Sequence, residues 1–239
     1  MTDWDGEGLP PAARARVLRA GEGAPGASLL KISGQAALEG CGFSVVGEAM
    51  GCIVQHLGWR GFGGCGYYGY GGSPGGFLVS GLGQSPLGSV TSAGQSGYVG
   101  YAPYAEALYE GYDTAILRML YECRDIGGDG VVGVRLQVNR LGNDNSEFIA
   151  YGTAVRAHSS SRPANLFSTT LQGHDVAKLL HGGWVPASIT VGLSVAVRHD
   201  DWATLRQASA WAGNTEVSGY SQLVHHVRSE ARDQFRHRS

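Results

Sequence analysis

Apolar residues recur at intervals of three and four through AEALYEGYDTAILRMLYECRDI, residues 105–126. Leu108, Tyr112, Ala115, Ile116, Met119, Leu120 and Cys123 make one stripe, which predicts an amphipathic helix. Arg118, Glu122 and Arg124 fall on its wetter side. Beyond Gly127 and Gly128, which supply the helix stop, the period changes to two. Val132, Val134, Leu136 and Val138 alternate with Gly133, Arg135, Gln137 and Asn139, the pattern of a half-buried strand. The turn residues GNDNS (142–146) lead into EFIAYGTAVRA, where Ile149, Tyr151, Thr153 and Val155 share a face. Helix, strand and returning strand form the end of a β-α-β-β unit.

The first strand of that unit is GFSVVGEAMGCIVQH. Both of its parities are apolar or small, which predicts burial on both sides. Upstream, SLLKIS is strand-like and runs into a short helix, GQAALEG. Three antiparallel strands under one helix cover only one sheet face, so the other face needs a partner from another repeat or subunit. The fold class is therefore α+β, within the broader α/β group.

Part of this layout returns. LFSTTLQGHDVAKLLHGGWVPASITVGLSVAVRH repeats the order of SLLKISGQAALEGCGFSVVGEAMGCIVQH. Gly42-Phe43 corresponds to Gly183-Trp184 and Gly51 to Gly192, in each case 141 positions apart. A loop, WATLRQASAWAGNTEVSG, and a helix striped by Val224, Val227, Ala231 and Phe235 follow. The reading divides the chain into an N-terminal tail (1–26, with a loose helix over 12–20), a first unit (27–157), a linker (158–166) and a second unit (167–239). The second unit stops before any turn and hairpin. Residues 61–100 interrupt the first unit with fifteen glycines, four tyrosines and no charge, and are read as an insertion.

Glycine is the compositional outlier, at 39 of 239 residues, and charged residues are only 16% against about 25% in typical domains. The net charge of −2 gives no electrostatic reason to expect nucleic acid or acidic lipid. No apolar run reaches membrane-spanning length, and MTDWDGEGLPP lacks the basic and apolar regions of a secretory signal, so a cytoplasmic protein is expected. Two formal GxGxxG strings occur, at 64–69 and 128–133. The first has no helix start after it, and the second follows a helix and precedes a strand. A phosphate loop needs the reverse order, so neither is a nucleotide site.

YDTAILRMLYECRDIGGDGVVGVRL (112–136) followed by EFIAYGTAVRA (147–157), with the strand GFSVVGEAMGCIV, resembles the YbjQ-like family, named as a heavy-metal-binding domain. The second half is similar to that of a tandem, actinobacterial-type member. The resemblance implies dodecin-like β-α-β-β units, assembly as a homo-oligomeric ring, with a pentamer as the family expectation, and a divalent heavy metal as the implied cofactor. The glycine-rich insertion and the shortened second unit depart from a simple single-unit pentamer.

Few residues offer chemistry. Cys52 and His56 share strand parity and are the candidate metal ligands, although two fall short of the three or four a zinc site uses. Copies of the chain could supply the others. His199 heads the polar cluster His199-Asp200-Asp201, a weaker candidate, because consecutive strand residues point to opposite faces. His174-Asp175 reads as a helix cap, His226-Glu230 as a surface pair and Asp129 as part of its turn. No GxSxG or HExxH string is present, so no catalytic residue is assigned. Two functions lead: a non-catalytic, oligomer-forming, metal-binding protein, and a metal or small-ligand sensor with its pocket between repeats or subunits; an enzyme is the third reading, with no residue assigned to it.

Overall fold

The computed structural model describes residues 8–21, 28–57, 98–100, 102–160, 162–198, 202–209 and 213–239. In chain order the elements are α1 (Pro11–Gly21), α2 (Ile32–Gly40), β1 (Phe43–His56), β2 (Tyr98–Gly100), α3 (Ala102–Asp125), β3 (Gly130–Gly142) and β4 (Asn145–Ala157). Then come β5 (Phe167–Ser168), α4 (Gly173–His181), β6 (Ala196–Arg198), α5 (Trp202–Gln207) and α6 (Ser218–Arg238). The main sheet has the order β1-β4-β3-β5. Its β1/β4 and β4/β3 pairs are antiparallel and β3/β5 is parallel. A separate two-stranded ladder joins β2 to β6.

The helix, turn and hairpin follow the periodicity. Gly127 takes φ +80 at the helix stop, and Asn143 and Asp144 both take positive φ, the signature of a two-residue hairpin turn. α3 lies across one sheet face, where Ala115, Met119 and Cys123 are fully buried against Ala49, Phe148, Ala150 and Ala154. Tyr112 meets the Phe148 ring edge-on, with centroids 5.2 Å apart.

Three expectations change. First, the alternation in β3 is broken by a bulge: the ladder to β4 slips between Val132 and Arg135, where Gly133 has φ +65. A residue at positive φ absorbs the extra position, so Val131 joins Val134 and Leu136 against α3 and Val132 turns to the opposite face. Second, only the start of β1 is packed on both sides, where Phe43 and Val45 reach the cluster around Leu38, Val132 and Val155. Gly47, Ala49 and Gly51 are covered by α3, whereas Met50 and Val54 on the other face are exposed. Third, residues 28–31 form no strand; Leu29 donates its N–H to Thr153 Oγ1 and the chain enters α2 directly.

The opposite sheet face is partly covered from within the chain. Leu38 of α2 and Val176 of α4 pack on Val132 and Val155. The two helices approach closely at Gly34 and Gly173, where a Cβ on Gly173 would lie 2.5 Å from the Gly34 carbonyl oxygen. Beyond α4 the expected strand is cut down to β6. Residues 184–195 carry Ile189 and Val191 into the α3 core but belong to no ladder, because no described segment plays the part that β4 plays for β1. The loop read at 202–219 contains α5, a helix too short to show a period. No helix among the described residues is long and apolar enough to cross a membrane.

Candidate functional site

The edge of β1 is where α3, α1 and the sheet meet. Glu122, expected on the wet side of its helix, is fully buried. Its carboxylate accepts from Arg16 Nε at 2.6 Å and Nη2 at 2.8 Å, and from the Met50 N–H at 3.0 Å. One turn earlier, Arg118 Nη1 donates to the Cys52 carbonyl at 2.6 Å. The polar side of α3 thus satisfies backbone groups of an edge strand, and α1 seals the arrangement with a two-pronged guanidinium–carboxylate pair. The hydrogen bond and charge of Glu122 hold the Arg16 guanidinium above its ordinary range, against some loss of hydration. A period of 3.6 shows which residues share a helix face. It cannot show that a polar face meets a sheet edge.

Cys52 sits opposite Ile149 on the face turned away from α3. Burial, and then the Glu147 charge, push its thiol upward. His56 is exposed, with Nδ1 3.1 Å from Asn145 Oδ1. Both side chains are on one face, but they are four positions apart along the strand, about 13 Å of chain. Donors to one zinc ion must lie within roughly 4 Å of each other, given bonds of 2.0–2.3 Å. One chain therefore does not bring Cys52 and His56 together. His199, Asp200 and Asp201 lie outside the described residues. Among those described, no group of three or more His, Cys, Asp or Glu side chains could hold a metal ion.

The fold makes a different thiol–imidazole contact. Cys41 Sγ, at the end of α2, is 3.5 Å from His181 Nε2, at the end of α4. They are 140 positions apart, and only the packing of α2 on α4 joins them. Asp129 is a structural turn residue, as expected: Oδ2 accepts from the Ala157 N–H at 2.8 Å and from Arg162. His174 and Asp175 lie within the first turn of α4 and do not cap it; Asp175 pairs with His174 and Lys178. His226 and Glu230 form the surface pair at 3.9 Å. A cavity of about 280 Å³ opens at the hairpin end of the sheet, lined by Leu57, Tyr104, Arg140, Asp144 and Asn145.

Cys123 is inert by placement. It is fully buried, its S–H donates to the Gly130 carbonyl, and burial pushes the thiol up to about 12. Between its ordinary value of 9.0 and about 12, only the unfolded state releases this proton. The contribution is intact below pH 9 and lost as pH rises toward 12, by up to about 4 kcal/mol at the top of that window. Urea titrations from pH 8 to 11 should show a steeper alkaline loss of stability for the wild type than for Cys123→Ala. Parallel curves would contradict this burial.

Comparison with known proteins matches these elements. A family model described as "Putative heavy-metal-binding" covers residues 92–158, the stretch of β2, α3, β3 and β4. The chain is 31% identical over 213 residues to the encapsulin nanocompartment protein Rv1762c of Mycobacterium tuberculosis, covering 84% of this chain and 68% of the relative. It is 48% identical over 52 residues to UPF0145 protein OE_4416R of Halobacterium salinarum. It is 45% identical over 53 residues to UPF0145 protein NP_2600A of Natronomonas pharaonis. These short matches take in 22% of this chain and about half of each relative. Helix, glycine turn and hairpin agree with the family's pattern, and the Mycobacterium tuberculosis relative extends the likeness along most of the chain: it belongs to the YbjQ-like family.

Proposed function

We propose that this chain is a non-catalytic assembly protein whose copies form a closed homo-oligomeric ring associated with a nanocompartment. The observation that carries the reading is the unfinished packing of the C-terminal half. Residues 184–195 form neither helix nor ladder, and the α6 stripe leaves Val224 and Phe235 45% and 48% exposed. Trp184 and Val185, at 71% each, and Trp202, at 74%, add to the apolar surface. Monomers seldom leave so much large apolar surface on one portion of the chain, and covering it is the work of a partner. The Mycobacterium tuberculosis relative, an encapsulin nanocompartment protein, supplies the nanocompartment context.

Heavy-metal binding is the second part of the proposal. With Cys52 and His56 apart in one chain, a complete ligand set requires donors from neighbouring copies, as symmetry permits. In that case the assembly is a metal sensor or store, located in the cytoplasm. The test is native mass spectrometry of the full chain, purified without a metal-affinity tag, with metal content read on the same sample. A defined oligomer is expected, and a single chain would overturn the assembly reading. Stoichiometric metal that disappears in Cys52→Ser supports the metal role; metal content unchanged by that substitution removes Cys52 as a ligand.

A further inference from the structure

We infer that Cys41 and His181 form an exchangeable site for a zinc-like divalent ion, held where the C-terminal ends of α2 and α4 meet. The inference rests on the heavy-metal reading above and places an ion on donors that one chain already brings together.

The first observation is a distance. Cys41 Sγ lies 3.5 Å from His181 Nε2. Bonds of about 2.3 Å to sulfur and 2.0–2.1 Å to nitrogen, at a tetrahedral angle, set two donors of one zinc ion about 3.5–3.6 Å apart. The pair therefore has the separation that a shared ion needs. Cys52 and His56 fail the same test by their spacing along β1, and Cys123 is fully buried.

The second is the direction of the two helices. Gly173 of α4 meets Gly34 of α2, and a Cβ on it would also lie 3.1 Å from Leu38 Cδ1. Farther along, the Cys41 thiol reaches the Ala177 carbonyl, at 3.9 Å, and then His181. Contacts advance together along both helices, so α2 and α4 run side by side in the same direction. Their negative dipole ends therefore converge on this pair. α2 has no basic residue in its last turn and carries Glu39 there. Lys178 of α4 is turned back to Asp175, at 3.3 Å. A divalent ion bound to one thiolate keeps a net positive charge, the sign that these ends favour.

The third is access. Cys41 is half-buried and His181 is exposed, so an ion reaches them from solvent. On binding, the thiol proton passes to solvent, the thiol–imidazole contact opens, and sulfur and nitrogen replace two waters on the ion. Water keeps the remaining positions, which makes the site open and its ion exchangeable. The repeat offset of 141 places Gly182 at the counterpart of Cys41 and Gly40 at that of His181. Each chain therefore carries this pair once, despite its two related halves.

Cobalt(II) titration of the full chain tests the site, with protein purified without a metal-affinity tag and kept reduced by a phosphine. At least one equivalent should bind per chain and give a thiolate-to-cobalt charge-transfer band, which zinc removes by displacement. Cys41→Ser should lose one equivalent and its share of the band. His181→Ala should weaken that binding by about ten-fold or more. Cys52→Ser should keep the Cys41 signal. A band of unchanged strength in Cys41→Ser, or an affinity that His181→Ala leaves alone, overturns the site. If the band is lost in Cys52→Ser and unchanged in Cys41→Ser, this site is wrong and the proposed role of Cys52 stands. A wild-type chain that binds neither cobalt nor zinc overturns both. Alkylation of the unsubstituted protein gives an independent check. One equivalent of zinc should slow iodoacetamide modification of Cys41, read by peptide mass spectrometry. Modification of Cys41 at the same rate with zinc bound to the protein overturns the assignment.

Discussion

Gly51→Val is expected to leave little folded protein. A Cβ at this position would lie 2.1 Å from the Ala115 carbonyl oxygen and 2.4 Å from the Met119 nitrogen. Both are backbone atoms of α3, so no rotamer change relieves the clash. Extra atoms in a packed core usually cost about 1–3 kcal/mol when side chains can give way. Here the helix must lift from the sheet, and Gly111 restrains it further, since a Cβ there would reach 2.6 Å from the Phe148 ring. A loss of about 4 kcal/mol or more follows, against total stabilities of roughly 5–15 kcal/mol for domains generally. Gly192→Val makes a similar contact with α6, 2.4 Å from the Ala231 carbonyl. Much of α6 is solvent-exposed and can shift, so about 1–2 kcal/mol is expected in the single chain. Urea denaturation of both variants measures the contrast. A Gly51→Val midpoint equal to that of the wild type would refute the close helix–sheet approach.

That asymmetry also explains what the sequence could and could not disclose. α3, its glycine stop and the β3–β4 hairpin are legible because their signals are local: a stripe of period 3.6, a left-handed glycine, and a turn of two positive-φ residues. The Gly51/Gly192 correspondence is visible as spacing, and its physical sense is contact with a helix far along the chain. What escaped the reading depends on tertiary contact. The bulge at Gly133 moves Val132 to the other face, although the alternating pattern runs on without a break. Residues 184–195 have the composition of β1, yet a strand exists only where a second strand accepts its hydrogen bonds. The Cys41–His181 contact needs α2 and α4 to pack, whereas the distance between Cys52 and His56 follows from their spacing along one strand. Glu122 is the clearest case: helical periodicity assigned it to water, but the sheet edge gave it an amide to bind and α1 gave it an arginine.

Arg16→Ala is the second large effect expected, and it tests that arrangement. Replacing the arginine strands a carboxylate that has no exposed surface and retains only the Met50 N–H among its described partners. Removing one member of a buried ion pair typically costs about 3–5 kcal/mol, mostly because the remaining charge is left uncompensated. Arg16 is 27% exposed, so water can reach part of the vacated space and about 3 kcal/mol is the expected loss. Glu122→Gln keeps an acceptor for Met50 and removes the charge. In the Arg16→Ala background it should therefore restore part of the lost stability, although it destabilises the wild type. A double-mutant cycle by urea denaturation reads the coupling directly. Strong coupling means that α1 is held to the β1 edge chiefly through this pair. Additive effects would mean that α1 is held by packing around Ala13, and that Glu122 is needed for the edge amide alone.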